Sequence, residues 1–356
     1  MPTYANSQIP RTCRVGLAAV SMALASAAIT PTAIAQSVVV PNAYASVPGT
    51  SQLNTIIRDQ GNPRTYVSGV LASELAAVPP GSVLTGVSLR FSSVAANPAT
   101  WPASSVTWAS YDISIGPAAP FVSWVSDPSA NFASAPQLVR SGPMTIDPGA
   151  FTNGGVAGAP NPWSEFYFDF QQPYTYLGGD LAMLFTHPGS SDASTAPFPE
   201  TVPSDAASYG LARSGPGYQS TITGGESLYV MRVHYGFGAG CALSGGSSPV
   251  LVQNGDTAGG QGGEIRLQVA NSEPGAPIAM ALGFTQQQLP LGFGCSLLVS
   301  PDIVLVVGLA SPSGRAVQTV SVPTGVTGSF FAQAAVLDAA LPLGFAVSNG
   351  VSPAAF

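Results

Sequence analysis

Polar and apolar residues alternate along short segments of this chain, and clusters of turn-forming residues separate the segments. Residues 83–91 show the pattern clearly, because apolar side chains alternate there with Ser88 and Arg90, directly after the turn residues Pro79, Pro80 and Gly81. Alternation with a period of two is typical of a β-strand that buries one face. We therefore predict a half-buried strand at residues 83–91.

Similar segments recur along the rest of the chain, whereas only residues 73–78 fit a helix, and a short one. Many short strands at this spacing predict an all-β fold of two consecutive antiparallel β-sandwich modules, jelly-roll or immunoglobulin-like in type. The remaining predicted strands are residues 106–115, 138–146, 165–170, 181–186, 209–213, 227–234, 249–253, 264–271, 278–284, 295–300, 303–309, 316–322, 329–337 and 345–349.

A glycine-rich segment, Gly-Phe-Gly-Ala-Gly at residues 236–240, separates two parts of different content. All four tryptophans precede it, and Cys241 and Cys295 follow it. We predict an N-terminal sandwich module at residues 36–236 and a C-terminal sandwich module with one disulfide at residues 237–356. The sequence Leu-Pro-Leu-Gly-Phe occurs at residues 289–293 and again at 341–345, which fits a turn entering a strand, used twice.

The first 35 residues have the features of a secretory signal peptide. Arg11 and Arg14 precede an apolar, alanine-rich run at residues 15–29, and Ala33 and Ala35 supply the small residues required before a cleavage site. We expect cleavage near Ala35 and a secreted protein, extracellular or periplasmic.

Composition narrows the class of protein. Hydrophobic residues make up 46% of the chain and charged residues only 8%, so the chain can form full cores and does not belong to the highly charged disordered class. The 40 Gly and 33 Pro are about a fifth of the 356 residues, a density of turns that a helical bundle does not tolerate.

The charge balance argues against phosphate-bearing partners. The basic residues are 10 Arg and no Lys, against 17 acidic residues, and removal of the leader would leave 8 Arg against 17 acids, a formal charge of −9. A chain without a basic patch cannot neutralise phosphates, so we expect no nucleic acid and no anionic membrane surface as partners. We also expect no membrane span, because no segment after the leader is long enough to cross a bilayer as a helix.

Two cysteines, Cys241 and Cys295, remain after the leader that carries Cys13. In an exported chain we expect them to form a disulfide. The alternative is a pair of buried free thiols. A metal site is disfavoured, because these cysteines and the two histidines, His187 and His234, do not cluster in the sequence.

Turn and core segments of both predicted modules have a familiar sequence. They are residues 64–66, 140–142, 172–176 and 179–181 in the first module, and 238–241, 289–295, 300–302, 331–338 and 348–350 in the second. These segments resemble those of uncharacterised two-module β-rich secreted proteins of environmental bacteria. The resemblance covers most of the mature chain and implies no activity, since none is established for that group.

Carbohydrate binding requires an exposed aromatic platform with a few polar groups beside it. Trp101, Trp124, Tyr174 and Tyr176 are the candidate ligand-binding residues, because they lie in Pro-rich or loop-like segments where a ring can be exposed. Aromatic side chains are more often buried than presented to solvent. Trp108 and Trp163 fit core positions better.

Hydrolytic chemistry is less well supported. Glu165 and Asp169 would share one face of a strand with Tyr167, about 13 Å apart at Cα, which is wide for a glycosidase pair. We expect Phe166, Phe168 and Phe170 in the core and the two acids in solvent. No Gly-x-Ser-x-Gly motif is present, and His187, Ser190 and Asp192 lie within one short loop that we expect to be a polar surface turn.

Calcium is not indicated either. Asp180, Asp256 and Glu264 could supply oxygen ligands, but residues 254–264 lack the spaced acids of an EF-hand loop. We predict no cofactor, no metal and no catalytic residue.

These observations predict a secreted, non-catalytic interaction protein whose partner is an extracellular glycan, a matrix component or another surface protein. Two alternatives stay open. One is a secreted hydrolase that acts on polysaccharide through acids such as Glu165 or Asp169, and the other is a purely structural envelope component.

Overall fold

The chain folds into β-strands and a few short 3-10 helices, and a computed structural model describes residues 36–156, 158–194, 197–254, 263–325 and 328–352. The strands of this described part pair only in antiparallel fashion, so the predicted all-β class is confirmed. The predicted signal peptide lies outside the described residues. No helix in the described part is long and apolar enough to cross a membrane.

We use the term N-terminal region for residues 36–236 and C-terminal region for residues 237–352; the division into two modules stays a prediction. The strands of the N-terminal region are β1 (Ser37–Val40), β2 (Ser51–Gln52), β3 (Arg64–Val70), β4 (Val83–Arg90), β5 (Thr100–Trp101), β6 (Val106–Trp108), β7 (Asp112–Pro117), β8 (Gln137–Arg140), β9 (Met144–Ile146), β10 (Phe151–Thr152), β11 (Trp163–Thr175), β12 (Leu181–His187), β13 (Glu200–Val202), β14 (Gly210–Gly215), β15 (Gly224–Glu226), β16 (Leu228–Tyr229) and β17 (Met231–Gly236). Short 3-10 helices occupy Asn42–Tyr44, Thr55–Ile57, Ala72–Leu75, Phe121–Ser123 and Pro128–Asn131.

Two large sheets build the N-terminal region, one in the order β1-β17-β4-β11 and the other in the order β15-β14-β3-β12-β7-β8. Their inner faces share one apolar cluster. Phe168 of β11 lies edge-on to Phe185 of β12, with ring centroids 6.1 Å apart, and its ring centroid is 5.4 Å from that of Tyr111. The three phenylalanines of β11, residues 166, 168 and 170, are all buried, as predicted.

Strand β4 of the first sheet is buried on both faces, which differs from the predicted half-buried strand. Every residue of β4 is buried, including Thr85, Ser88 and Arg90. The C-terminal region covers part of the polar face, where Tyr167 of β11 packs in one cluster with Val250 of β18 (Val250–Asn254). Arg90 is covered from within the N-terminal region, by Glu200 and by the backbone carbonyls of residues 44, 45 and 47. Alternation in the sequence therefore predicted the strand correctly and its exposed face incorrectly.

The remaining strands of the C-terminal region are β19 (Gly263–Ala270), β20 (Pro277–Gly283), β21 (Gln286–Gly292), β22 (Cys295–Val299), β23 (Ile303–Leu309), β24 (Ala316–Val322), β25 (Phe331–Leu337) and β26 (Phe345–Val351). They form a three-stranded sheet in the order β18-β19-β24, a four-stranded sheet in the order β23-β20-β25-β26, and the hairpin β21-β22. A second apolar cluster includes Leu267 of β19 and Met280 of β20, so it joins the two sheets.

The predicted disulfide between Cys241 and Cys295 is present, with the two Cα atoms 4.9 Å apart. It ties the segment after β17 to the start of β22, and both cysteines belong to the apolar cluster of the C-terminal region. The alternative of two free thiols is therefore excluded.

The first residue of the C-terminal region is bound through the backbone to the last strand of the same region. Phe237 and Gly350 exchange two N–H to carbonyl hydrogen bonds of 2.9 Å. Beside this bridge, a Cβ atom on Gly236 would lie 2.4 Å from the carbonyl oxygen of Gly350. A glycine is therefore required where the first region passes into the second.

Candidate functional site

Three of the four aromatic residues predicted to bind a ligand are buried, namely Trp124, Tyr176 and Trp101. Trp124 is 4% exposed, and its Nε1 donates a hydrogen bond to the carbonyl oxygen of Ala119 at 3.0 Å. Tyr176 is 3% exposed, and its hydroxyl donates to the carbonyl oxygen of Gly179 at 2.8 Å. The expectation that loop-like sequence exposes these rings is wrong, because each ring fills an apolar cluster beneath its own loop.

Tyr174 and Trp101 lie on different elements. Tyr174 of β11 is half-buried against the main core of the N-terminal region, and this burial raises the pKa of its hydroxyl. Trp101 of β5 is 6% exposed and lines a surface groove. Trp124 belongs to a separate cluster, so the four residues do not form one platform.

The groove at Trp101 has a volume of about 440 Å³. One wall comes from the segment between β5 and β6, and the other from the loop after β12. Its polar lining consists mainly of serine hydroxyls and one carboxylate, contributed by Ser104, Ser105, Ser191, Ser194 and Asp192. Proline side chains, including those of Pro98 and Pro102, supply apolar surface.

Local pairing holds Trp101 in place. Strand β5 pairs with β10, where Trp101 lies opposite Phe151. The two rings meet edge-on with centroids 5.6 Å apart, an arrangement that aromatic pairs favour. Thr100, the preceding residue, is exposed, as strand alternation requires. The ring of Trp101 therefore has a fixed edge at the groove.

Asp192 connects the two walls. Its Oδ2 accepts a hydrogen bond from Trp101 Nε1 at 3.1 Å, and its Oδ1 accepts from the backbone N–H and the hydroxyl of Ser194 at 2.9 and 2.6 Å. Partial burial acts to raise the pKa of Asp192, but the hydrogen bonds from Ser194 and Trp101 outweigh it and hold the pKa below its ordinary value. The groove therefore contains an ionised acceptor at neutral pH.

His187, at the end of β12, anchors the loop that carries Asp192. Its Nδ1 accepts a hydrogen bond from the N–H of Gly189 at 3.0 Å, which makes Nε2 the donor to the carbonyl oxygen of Thr55 at 2.9 Å. Its ring stacks on Tyr111 with centroids 5.3 Å apart. Burial lowers the pKa of His187 to about 4, so the ring is neutral and both of its nitrogens bind the backbone.

This geometry excludes a catalytic triad in which His187 would act as the general base for Ser190 and Asp192 would orient it. A nucleophilic triad needs a histidine nitrogen free to take the proton of the serine, and neither nitrogen of His187 is free. The loop was expected to be a polar surface turn, and its exposed end, at Ser191 and Ser194, agrees with that. Its first residue, by contrast, is a buried anchor.

A second serine and histidine meet inside the first sheet. Ser88 Oγ and His234 Nε2 lie 2.6 Å apart, and both residues are fully buried. His234 Nδ1 has no hydrogen-bond partner among the described residues. The pair has no access to a substrate and lacks the third group that would orient the imidazole.

The two acids of the hydrolase alternative occupy different environments. Glu165 is exposed and forms an ion pair with Arg266 of β19 at 2.7 Å. Asp169 is buried, which corrects the expectation that it faces solvent. The cause is the C-terminal region, which covers this face of β11 and brings Arg315 to Asp169.

Asp169 is held between two guanidinium groups. Arg140 Nη1 lies 2.5 Å from its Oδ2, and Arg315 Nη2 donates to its Oδ1. Arg315 also donates to the carbonyl oxygen of Tyr167 at 3.1 Å and lies over the ring of Phe166. Asp169 is buried and both of its oxygens are bound to arginine, so it serves as a link between the two regions.

Metal ligands do not converge in the described part of the chain, where no group of three His, Cys, Asp or Glu side chains could hold an ion. Of the three acids considered for calcium, Asp180 accepts the N–H of Ala72 at 2.8 Å and Glu264 is exposed on β19. Asp256 lies outside the described residues.

Comparison of the sequence with protein-family models and with curated proteins gives no relative for this chain. No protein-family model matches the chain, and no curated protein matches it significantly in sequence. The sequence singled out Trp101 but did not indicate Asp192 as its hydrogen-bond partner, because the two positions are 91 residues apart and no sequence signal links them.

Proposed function

We propose that this chain is a secreted, non-catalytic glycan-binding protein and that the groove at Trp101 holds its ligand. The observation that carries the proposal is the hydrogen bond between Trp101 Nε1 and Asp192 Oδ2, inside a groove whose other polar side chains are hydroxyls. Sugars are recognised by such a set, because each sugar hydroxyl can donate to a carboxylate and exchange hydrogen bonds with serine.

Asp192 can accept one further hydrogen bond, as a ligand hydroxyl would require. An ionised carboxylate offers about four acceptor positions, and Asp192 uses three of them for Trp101 and the two donors of Ser194. One position remains for a donor from a ligand. The volume of about 440 Å³ lies within the range of about 300–1,000 Å³ typical of small-molecule sites.

Binding is favoured over hydrolysis by the number of acids. A glycosidase generally needs two carboxyl groups on either side of the scissile bond, whereas Asp192 is the sole carboxylate among the described residues that line the groove. The acids proposed for the hydrolase alternative are bound to arginines elsewhere, Asp169 to Arg140 and Arg315, and Glu165 to Arg266.

Export supports the same function. Disulfides persist in oxidising compartments outside the cytosol, and the bond between Cys241 and Cys295 is consistent with the predicted leader at residues 1–35. The acidic, lysine-free composition favours an uncharged ligand over an anionic one, so neutral polysaccharides are the ligands to test first.

Affinity electrophoresis tests the proposal. The mature protein is run in native gels that each contain one neutral polysaccharide, such as xylan, β-glucan or dextran. We expect retardation in at least one gel, without release of reducing ends. Asp192→Ala should weaken binding about tenfold to a hundredfold, as expected for loss of a hydrogen bond to a charged group.

Asp127 provides the matched control, because its Oδ1 also accepts the N–H and the hydroxyl of the serine two positions on, Ser129. Asp127→Ala should leave the retardation unchanged. Retardation that survives Asp192→Ala, or no retardation in any gel, would contradict the proposal. Release of reducing ends that disappears in Glu165→Gln would favour a hydrolase.

A further inference from the structure

Strand β23 forms a free edge of the four-stranded sheet β23-β20-β25-β26. It pairs with β20 on one side, and no described strand pairs with its other side. Its sequence, Ile-Val-Leu-Val-Val-Gly-Leu, contains no charged or polar side chain. The edge strand β24 of the neighbouring sheet differs, because its exposed positions include Thr319 and Ser321.

The side chains of β23 are unusually exposed for aliphatic residues. Val306 is 86% exposed, and Ile303, Val304 and Leu309 are exposed as well. Val304 and Val306 lie opposite Ala281 and Ala279 of β20, whose side chains are small and partly exposed. The outer surface at this edge is therefore apolar, and no bulky side chain of β20 rises above it.

Free edges are normally protected. Natural sheets place a lysine, a proline, a bulge or an inward-facing charge on an edge strand, because its unpaired N–H and carbonyl groups attract other strands. In β23 the register with β20 is continuous from Ile303 to Val306, and the irregularity lies beyond Val306, where Gly308 has a positive φ of 130°. The first four residues of β23 therefore carry none of these protections.

We propose that β23 pairs with the β23 of a second copy of this chain, antiparallel about a two-fold axis. The absence of charge on β23 favours this partner. An uncharged aliphatic strand matches another such strand, whereas a strand with charged side chains would lose hydration free energy when those charges were buried against Val304 and Val306. An antiparallel edge can pair with its own copy, and the resulting interface is self-complementary and closed.

The exposed apolar area is sufficient for a modest dimer. The exposed fractions of five apolar residues at this edge add up to about three complete side chains, or on the order of 300 Å² per copy. These residues are Ile303, Val304, Val306, Leu309 and Phe284, the last of which lies beside Asp302. Two copies together expose about 600 Å² of apolar surface here, which is the upper limit of what the pairing can bury. The smallest stable interfaces bury about 1,200 Å² in total, somewhat more than half of it apolar, so we expect a dimer that dissociates on dilution.

Sedimentation velocity over a wide concentration range tests the pairing on the mature, oxidised chain. We expect the average mass to rise twofold from monomer to dimer as concentration increases. Val306→Lys and, separately, Val304→Lys should remain monomeric at every concentration, because a lysine at this edge would place its charge against the same strand of the second copy. Both side chains are largely exposed, so the variants should keep the melting temperature of the parent.

Val122 provides the matched control, because it is 98% exposed in the 3-10 helix Phe121–Ser123 of the N-terminal region. Val122→Lys makes the same change in charge away from β23 and should dimerise like the parent chain. A parent chain that stays monomeric at the highest concentration overturns the proposal. Dimerisation that persists in both folded β23 variants also overturns it, and would assign the contact to another surface.

Discussion

Acidification should destabilise the protein through its two buried histidines, His187 and His234. Burial lowers the pKa of His187 to about 4. Burial, with a smaller contribution from the nearby Arg232, lowers the pKa of His234 to about 3. In the unfolded chain both side chains would have the ordinary value of about 6.5. The unfolded state therefore binds more protons than the folded state below about pH 6.5.

The sign and size of the effect follow from this difference. The stabilising contribution is fully present above about pH 6.5, declines as the pH falls toward the folded-state pKa values of about 4 and 3, and does not change further below them. Over this interval each histidine reduces the free energy of unfolding by about 1.4 kcal/mol per pH unit. Between pH 7.5 and pH 5 the loss is about 2 kcal/mol for each histidine.

Urea unfolding of the oxidised protein at pH 7.5 and pH 5 measures the loss. In His234→Gln we expect a loss between these two pH values that is about 2 kcal/mol smaller than in the parent, because one titrating group is gone. Ser88→Ala is the control: it removes the partner of His234 and keeps the imidazole, so it should lower stability at both pH values and leave the pH dependence intact. Equal pH dependence in His234→Gln and the parent would refute the reasoning.

Two further changes test the link between the regions and the disulfide. Asp169→Asn should lower the free energy of unfolding by about 3–5 kcal/mol, since it leaves buried Arg140 and Arg315 without their anion. Glu165→Gln, at the exposed ion pair, should change the free energy of unfolding by less than about 1 kcal/mol. Equal effects of the two substitutions in urea unfolding would contradict this. Replacement of Cys241 and Cys295 by serine should lower the free energy of unfolding by about 4 kcal/mol, the chain-entropy value for this loop, and a double variant as stable as the parent would show that the bond contributes nothing.

Much of the fold followed from local patterns. The predicted strands at residues 303–309 and 316–322 coincide with β23 and β24, because uninterrupted β-branched sequence between turn residues has few other solutions. The predicted helix at residues 73–78 is a 3-10 helix at Ala72–Leu75. The single predicted segment 106–115 is divided into β6 and β7.

Strands defined by distant partners were missed. β1 exists through its pairing with β17, and β5 through its pairing with β10, so the short segments that form them carry no periodicity of their own. The hairpin strand β21 was missed because Pro290 and Gly292 read as a turn, although they lie within the pairing with β22.

The candidate site was less predictable than the fold, for a physical reason. Whether an aromatic ring is exposed depends on which elements pack over it. Trp124 lies against Gly69 of β3, where a Cβ atom would come within 2.7 Å of its ring, and no pattern near residue 124 indicates that contact. The polar residues of β4 and β11 were likewise expected in solvent. The segments that cover them lie far away along the chain, so no local pattern indicates their burial.

Strand β11 makes the N-terminal region dependent on the C-terminal region. Its face toward the C-terminal region carries Tyr167, fully buried, and Asp169, which shares its charge with Arg315. A fragment ending at Gly236 would present a large aromatic ring to water and leave a carboxylate with one guanidinium in place of two. Expression of the groove at Trp101 in an isolated recombinant module therefore requires redesign of this face, whereas the whole chain can be used without alteration.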